Sequence, residues 1–489
     1  MNHSIISFLD FNPDELSILK IEILDNIKFV HLIKPLKPVF CPHCHSRMHS
    51  KGQYIRSINH PILQDGFQLV LKLHQRRWVC SNPSCHHTMN DDFSFVQKNH
   101  RNTDLTIIGI LRDMKNLSLS ASFIADKYHV SDTYVHETFL RYVDCKRLPL
   151  PEILSVDEVY LEFDSKNRYA LVLMDFLTGE IVDILPNRFK DTYQHYFHSI
   201  PLEERNQVKY LICDMYNPYI NFVHSYLHHA KPVVDSFHVI QWINHKINIY
   251  INTVKKKYLE RDRKLLEKKN QISNREYQSP PLSDEVYLLN QYRWILLASQ
   301  SHINYSYKKY YNRHFKQYLC TYDYEKKFLE LDPRFEKIRK LKELYIKFND
   351  SFPKPHAQAE KELDALIFFY QKQELLMFQE FSQLLQKYKR EIVYSFTDLD
   401  HSLKLVYVNT LSETGEQLKR RLSNGPIESF NRKPKDLKRN SRGFENSYYT
   451  INRILWANRK NQPILAVPKP AKEVKNHTGK IRGKYTKKK

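Results

Sequence analysis

Between residues 153 and 234 the sequence alternates strand and helix signals in an order that few folds accommodate. Apolar runs at Ile153 to Phe163, Tyr169 to Phe176 and Ile181 to Leu185 are separated by the polar turns Asp164-Ser165-Lys166-Asn167 and Thr178-Gly179, which predicts three consecutive antiparallel strands. A helical stretch near residues 190 to 200 precedes a fourth strand at Val208 to Cys213. A helix opened by Asn217-Pro218 and a short fifth strand at Pro232 to Val234 complete the order βββαβαβ. Two acids fall at telling places in it. Asp157 lies in the first strand, within Leu154-Ser155-Val156-Asp157-Glu158-Val159, and Asp214 ends the fourth.

That order matches a ribonuclease-H-like α/β core, in which the first and fourth strands lie side by side and their acids converge. Unpaired buried carboxylates are costly, and a divalent cation is what ordinarily compensates them. Two magnesium or manganese ions about 4 Å apart activate an attacking water or 3′-hydroxyl and stabilise the leaving oxygen of an in-line displacement. A third ligand has to come from later in the chain. The best candidate is Glu428, in Ser423-Asn424-Gly425-Pro426-Ile427-Glu428-Ser429-Phe430-Asn431-Arg432, where Gly425 and Pro426 announce a helix start. Taken singly, each acid also has a plain structural reading. Asp157 can pair with a surface lysine, Asp214 can cap the following helix, and Glu428 can complete a capping box.

A chain of 489 residues exceeds what one hydrophobic core organises, so several domains are expected. Residues 1–100 alternate as strands, with Phe67, Leu69, Leu71 and Leu73 at period two, and read as a β-rich module. Within it, Cys41, Cys44, Cys80 and Cys85 form C-x2-C, 35 intervening residues, then C-x4-C, a set suited to one structural, tetrahedral zinc. His43, His45, His86 or His87 can replace a cysteine, and free thiols or a redox pair are the rival readings. The remaining Cys145, Cys213 and Cys320 read as small buried residues.

Residues 101–150 read as a helix-turn-helix DNA-binding domain. In ASFIADKYHVSDTYVHETFLRYV, Ser131 caps a second helix with Val135, Phe139 and Tyr142 or Val143 inward, and Thr133, Tyr134, His136 and Glu137 facing bases or phosphates. The prolines of Leu148-Pro149-Leu150-Pro151 make a linker. Residues 151–240 and 411–467 are the two parts of the core. Between them, residues 241–410 form an α-helical insertion without strand signals, with Ile247, Ile251, Val254, Tyr258 and Leu265 on one face and Phe335, Ile338, Leu341, Tyr345 and Phe348 on another. Residues 468–489, with nine Lys or Arg against one Glu, read as a disordered basic tail. The expected whole is a multidomain α+β chain.

Lys and Arg number 76 against 54 Asp and Glu, a formal charge of +22 that suits a polyanionic partner, double-stranded DNA before membrane. No run of 18 apolar residues and no signal-peptide plan is found, so a soluble intracellular protein is expected.

CPHC and CSNPSC, the helix-turn-helix, SVDEVY, LICDMYNPY, VVDSFHVIQ and NGPIESFNRKPKDLKRNSRGFEN occur in one order over nearly the whole chain. Together they resemble the ISL-three family of bacterial insertion-sequence transposases. The resemblance implies a DDE triad at Asp157, Asp214 and Glu428, a zinc module, and recognition of terminal inverted repeats. It further implies cleavage and strand transfer by a homodimer or larger assembly, in the cytoplasm at the nucleoid. Asp235 and His238 look like the D-x2-H signature of several DDE families, which implies a role at the active-site edge or on DNA rather than on metal. A basic residue seven positions after the glutamate commonly faces DNA in such enzymes, here Lys435. Pro434 predicts a kink that displaces Lys435 and leaves Arg432 as the phosphate contact. Lys438, Arg439 and Arg442 continue a basic strip whose plain reading is a solvated face. The rival functions are a non-catalytic DNA-binding regulator and a ribonuclease-H-like nuclease that cuts without joining.

Overall fold

The computed structural model describes residues 6–7, 9, 11–61, 68–273, 279, 282–398, 421–441 and 446–475. Strands β1 (Ser17–Leu24), β2 (Ile27–Ile33), β3 (Met48–His60), β4 (Gln68–Cys80) and β5 (Thr88–Asn90) build one N-terminal sheet in the order β1-β2-β4-β3, with β5 on β4. Leu69, Leu71 and Leu73 are buried along one face of β4, as their period predicts, against Val30, Leu32 and Ile58. Phe67, the first of that series, lies outside the described residues.

Three helices follow: α1 (Asp104–Asp113), α2 (Ala121–Tyr128) and α3 (Asp132–Tyr142). Thr103, Ser120 and Ser131 cap them, each accepting a backbone N–H three residues on. His129 makes the turn between α2 and α3 in the left-handed region, at φ 51°. A β-carbon on Gly109 would stand 2.7 Å from the Tyr128 hydroxyl, so the close approach of α1 and α2 requires glycine there.

The central sheet has the order β10-β9-β6-β7-β8, built from β6 (Ile153–Tyr160), β7 (Tyr169–Asp175), β8 (Ile181–Leu185), β9 (Tyr210–Cys213) and β10 (Lys231–Val234). The first three are an antiparallel meander, and β9 and β10 are parallel to β6. Helices α4 (Lys190–His198) and α5 (Leu202–Arg205) lead into β9, and α6 (Asn217–Tyr226) leads into β10. Period two divides the sheet's side chains. Leu154, Val156, Leu171 and Leu173 pack against Phe197 and Phe222 of α4 and α6. Val159, Leu161, Val172 and Met174 face the other way, onto Ile427, Phe430 and Ile454 from the C-terminal helices.

Helix α7 (Ser236–Ser273) leaves β10 directly, so the expected boundary at residue 240 falls inside a continuous helix. Ahead lie α8 (Asp284–Gln291), α9 (Trp294–Leu297), the hairpin β11 (Tyr310–Asn312) and β12 (Gln317–Leu319), and α10 (Thr321–Leu329). Then come α11 (Arg334–Asp350), α12 (His356–Gln371), α13 (Leu376–Lys387) and α14 (Lys389–Tyr394). The hairpin corrects the expectation of a strand-free region; strands of three residues are too short to leave a periodic trace. Ile247, Ile251 and Val254 are buried with Phe335, Ile338, Leu341, Tyr345 and Phe348 in one cluster, and Tyr258 packs on it half-buried. Leu265, expected on the same apolar face, is 57% exposed, because α7 runs past the cluster.

The chain returns to the central sheet through α15 (Gly425–Ser441) and α16 (Ser447–Asn458), and α17 (Ala471–Lys475) ends against α3. Buried Arg459 ties α16 to β8, donating to the carbonyls of Ile181, Val182 and Lys146. Residues 468–475 correct the expectation of a wholly disordered tail. Lys469 exchanges hydrogen bonds with Arg141 of α3, its ammonium lies 3.2 Å from Asp144, and Val474 is buried. Residues 476–489 lie outside the described residues. Among the described residues no helix is long and apolar enough to cross a membrane.

Candidate active site and cysteine cluster

Strand register sets out the acids. Ser155 of β6 stands opposite Ile212 of β9, and Ile212 stands opposite Val233 of β10. Two residues on along each strand direction come Asp157, Asp214 and Asp235. Side chains alternate with period two and neighbouring strands lie roughly 4.8 Å apart, so Asp157, within β6, falls level with Asp214 and Asp235, which directly follow the ends of β9 and β10. The face of β6 that carries Asp157 is the one covered by α15, which presents Glu428 in its first turn.

The plain structural readings of the acids are not what the side chains do. Among the described residues Asp157 pairs with no lysine: Oδ1 accepts from the Glu158 N–H at 2.7 Å and Oδ2 from Asn431 Nδ2 at 2.7 Å. Asp214 does not cap α6; Oδ1 meets His238 Nε2 at 2.8 Å and Asn424 Nδ2 at 3.2 Å. Glu428 forms no capping box among the described residues. Its carboxylate stands with Asp235 and His238, the donor atoms of all three lying within 4.8 Å of one another.

Asp235 and His238, assigned to the edge, stand directly beside Glu428, and their ligand atoms and the glutamate's gather within 4.8 Å of one another. The register is the reason, since it levels Asp235 with Asp214, and the first turn of α7 then turns His238 back onto Asp214.

Burial and then the charge of Asp214 push Asp157 up to about 7. Burial also raises Asp235 and Glu428, with neighbouring carboxylates adding to it. For His238 burial works downward, but the hydrogen bond and charge of Asp214 outweigh it and the imidazole is raised. Beside Asp214 a cavity is lined by Arg188, Tyr216, Tyr219, Trp242 and His245. Arg188 and Tyr219 both bond to Glu158 there.

Helix α15 does not end at Pro434. Proline forfeits the bond to the Phe430 carbonyl, but its buried ring, with Phe430 and Leu437, seats the helix on the sheet. Lys435 therefore stays near Glu428 and lowers its pKa, against the burial that raises it. Arg432 and Lys435 are exposed, and no ion pair ties either among the described residues. Lys438 lies 2.8 Å from Glu162 and Arg439 3.0 Å from Asp436, so both are paired with acids. Arg442 lies outside the described residues.

On α3, Val135, Phe139, Tyr142 and Val143 are buried as expected, and Thr133 is exposed. Tyr134 and His136 are corrections. Tyr134 packs half-buried into the core beneath α3, and His136 packs edge-on to the Tyr449 ring at 4.9 Å, because α16 returns to cover that face. Glu137 is half-buried.

In the N-terminal sheet the four expected cysteines come together, and no histidine joins them. Cys41 Sγ lies 3.7 Å from Cys85 Sγ, and Cys44 Sγ 3.3 Å from Cys80 Sγ. Tetrahedral zinc–sulfur bonds of about 2.3 Å place sulfurs about 3.8 Å apart, so the cluster needs little movement to close on one ion. His45 and His86, each directly after a cysteine pair, turn the chain with φ of 58° and 51°.

Sequence reasoning missed Asn424 and Asn431, although their spacing from Glu428, four residues before and three after, marks one helical face.

No curated protein matches the chain. A family model of DDE transposases of the ISL-three type matches residues 154–403 and 407–454, more than half of the chain and all of the acids described above. The chain belongs to the ISL-three family of DDE transposases.

Proposed function

We propose that this chain cuts DNA at the terminal inverted repeats of its element and joins the freed ends to target DNA, with Asp157, Asp214 and Glu428 of a ribonuclease-H-like core as ligands of magnesium or manganese. The observation that carries the reading is the strand register, which sets Asp157 level with Asp214 on the face that Glu428 covers. The donor set fits such ions. Carboxylate oxygens suit magnesium and manganese, and Asp157, held near 7, is an acid whose ionised form the protein alone does not compensate. When bound, a pair of these ions supplies activation of the attacking oxygen and stabilisation of the leaving one.

The chain's own residues hold and orient. Asp157 and Asp214 approach the scissile phosphate from the sheet, and Glu428 approaches it from the helix. Arg432 and Lys435 bind neighbouring phosphates, and His238 orients the Asp214 carboxylate. Water attacks first at the element end, freeing a 3′-hydroxyl that then attacks target DNA, with no covalent protein intermediate.

The four cysteines hold a structural zinc that folds the β-rich module. Helices α2 and α3 act as a helix-turn-helix whose open first turn, at Thr133, meets the DNA. Two ends have to be brought together, which calls for a dimer or larger assembly. A strand-transfer assay with pre-cleaved element ends, a target plasmid and magnesium or manganese tests the reading. Joining supports it, and Asp214→Ala is expected to abolish joining while sparing DNA binding. Cleavage without joining favours a nuclease, and binding without either favours a regulator.

A further inference from the structure

We propose that Asn424 and Asn431 are positioning residues of the reaction centre, holding the Asp214 and Asp157 carboxylates from one face of α15 in the orientation that takes up a divalent cation. The inference rests on the metal-dependent reading above. Asn424, Glu428 and Asn431 are spaced by four and three residues, so they line one side of the helix. Asn424 Nδ2 donates to Asp214 Oδ1 at 3.2 Å, and Asn431 Nδ2 donates to Asp157 Oδ2 at 2.7 Å. Both amides are buried, at 0% and 2% exposure.

Neither amide is explained by the needs of the helix. An asparagine just before a helix ordinarily turns its oxygen inward to accept an N–H of the second or third residue. Asn424 Oδ1 is buried and accepts nothing among the described residues, and Pro426, at the second position, has no N–H to give. Asn431 sits inside the helix, where asparagine is a poor former, and its Oδ1 is likewise buried without a partner among the described residues. Among the described residues neither side chain turns its oxygen to a donor, while both direct their donor half at an acid.

A neutral N–H suits this task better than a lysine. It fixes the rotation of a carboxylate without cancelling the charge that a cation needs. On Asp214 the Asn424 and His238 donors share Oδ1, and Oδ2 has no hydrogen bond among the described residues. Asp157 is gripped at both oxygens, by the Glu158 N–H and by Asn431. Because Glu428 lies between the two asparagines, one rigid helix sets all three acids relative to one another.

The test is Mn2+ binding to the full chain, zinc retained and DNA absent, followed by loss of the free-Mn2+ EPR signal, together with DNA cleavage against Mn2+ concentration. Asn431→Ala, the volume-matched Asn431→Leu and Asn424→Ala are each expected to raise the half-saturating Mn2+ concentration roughly 10- to 100-fold. Asn431→Ser and Asn424→Ser, which keep a donor, are expected to lose less, and the metal-free melting midpoint is expected to stay at the wild-type value.

Half-saturation within about twofold of wild type in the Ala and Leu variants overturns the proposal, since a lost supporting bond is expected to cost at least about tenfold. Equal weakening in Ala, Leu and Ser, with a lowered metal-free midpoint in all, marks a packing role and overturns it too. Asp214→Ala separates the two levels. If it leaves Mn2+ binding intact, the metal-dependent reading fails; if it abolishes binding while the asparagine variants bind normally, only this inference fails.

Discussion

Asp157→Asn is expected to stabilise the metal-free protein while abolishing its metal-dependent activity. Burial, and then the charge of Asp214, hold Asp157 at about 7 against an ordinary 3.8. At roughly 1.4 kcal/mol per pH unit that gap corresponds to about 4 kcal/mol against ionisation in the fold. Below about pH 4 folded and unfolded chains both carry the neutral acid, so this site costs nothing. Between about pH 4 and 7 the unfolded chain ionises and the folded one does not, so stability falls as pH rises; above about 7 the loss is complete. Asparagine removes the loss. Its oxygen still accepts the Glu158 N–H, and Asn431 has only to turn its unpartnered Oδ1 toward the new amide. We expect a gain of about 2 to 4 kcal/mol at about pH 8 and about half of it at about pH 5.5.

The assay is urea denaturation with zinc retained and magnesium and manganese withheld. Hydrogen exchange at β6 and β9 assigns the transition to the central sheet, since a chain of several domains does not unfold in one step. Added Mn2+ is expected to raise the wild-type midpoint and leave that of the variant unmoved. No gain at the higher pH, or an equal gain at both, would refute the account of Asp157 as a charge held without compensation.

Glu428→Gln is expected to abolish cleavage and strand transfer with DNA binding retained; full cleavage with unchanged metal dependence would remove Glu428 from the site. Cys44→Ser is expected to lower zinc from about one per chain to below about half and to unfold the sheet around β3–β5, read by elemental analysis and circular dichroism. Arg459→Leu strips a donor from the carbonyls of Ile181, Val182 and Lys146 and leaves the first two short of a buried bond; it is expected to destabilise the central sheet by about 3 kcal/mol or more, read as the urea midpoint. A shift below about 1 kcal/mol would show that water replaces the guanidinium there.

What was legible in the sequence is what short stretches encode. Leu69, Leu71 and Leu73 announce their strand by alternation, Ser131 its helix by a cap, and Asp157 and Asp214 their places by the apolar runs around them. What was not legible depends on segments meeting from far away. His136 reads locally as an outward residue of its helix, yet Tyr449 of α16, some 300 residues later, packs on it, and Trp456 of the same helix bonds to Leu111 across 345 residues. Pro434 predicts a kink that displaces Lys435; the helix runs on through the buried proline, and the Lys435 charge still acts on Glu428. Asp235 could not be ranked with Asp214 without the register, because nothing in the residues between them states which strand positions lie level.

The asparagines lie between these cases. Their spacing about Glu428 was in plain view, but asparagine at a helix start is so common a cap that spacing alone cannot separate cap from ligand support. The unpartnered oxygens make that separation, and they exist only where α15 meets the strand ends. The strands carry Asp157, Asp214 and Asp235 and the helix carries Glu428, and the packing of Ile427 and Phe430 that builds the core sets that helix over the acids' face of the sheet. Arg459→Leu, at a side chain bonded to none of Asp157, Asp214, Asp235 and Glu428, is therefore expected to weaken Mn2+ uptake as well as stability, because loosening α16 from β8 loosens the layer on which α15 rests.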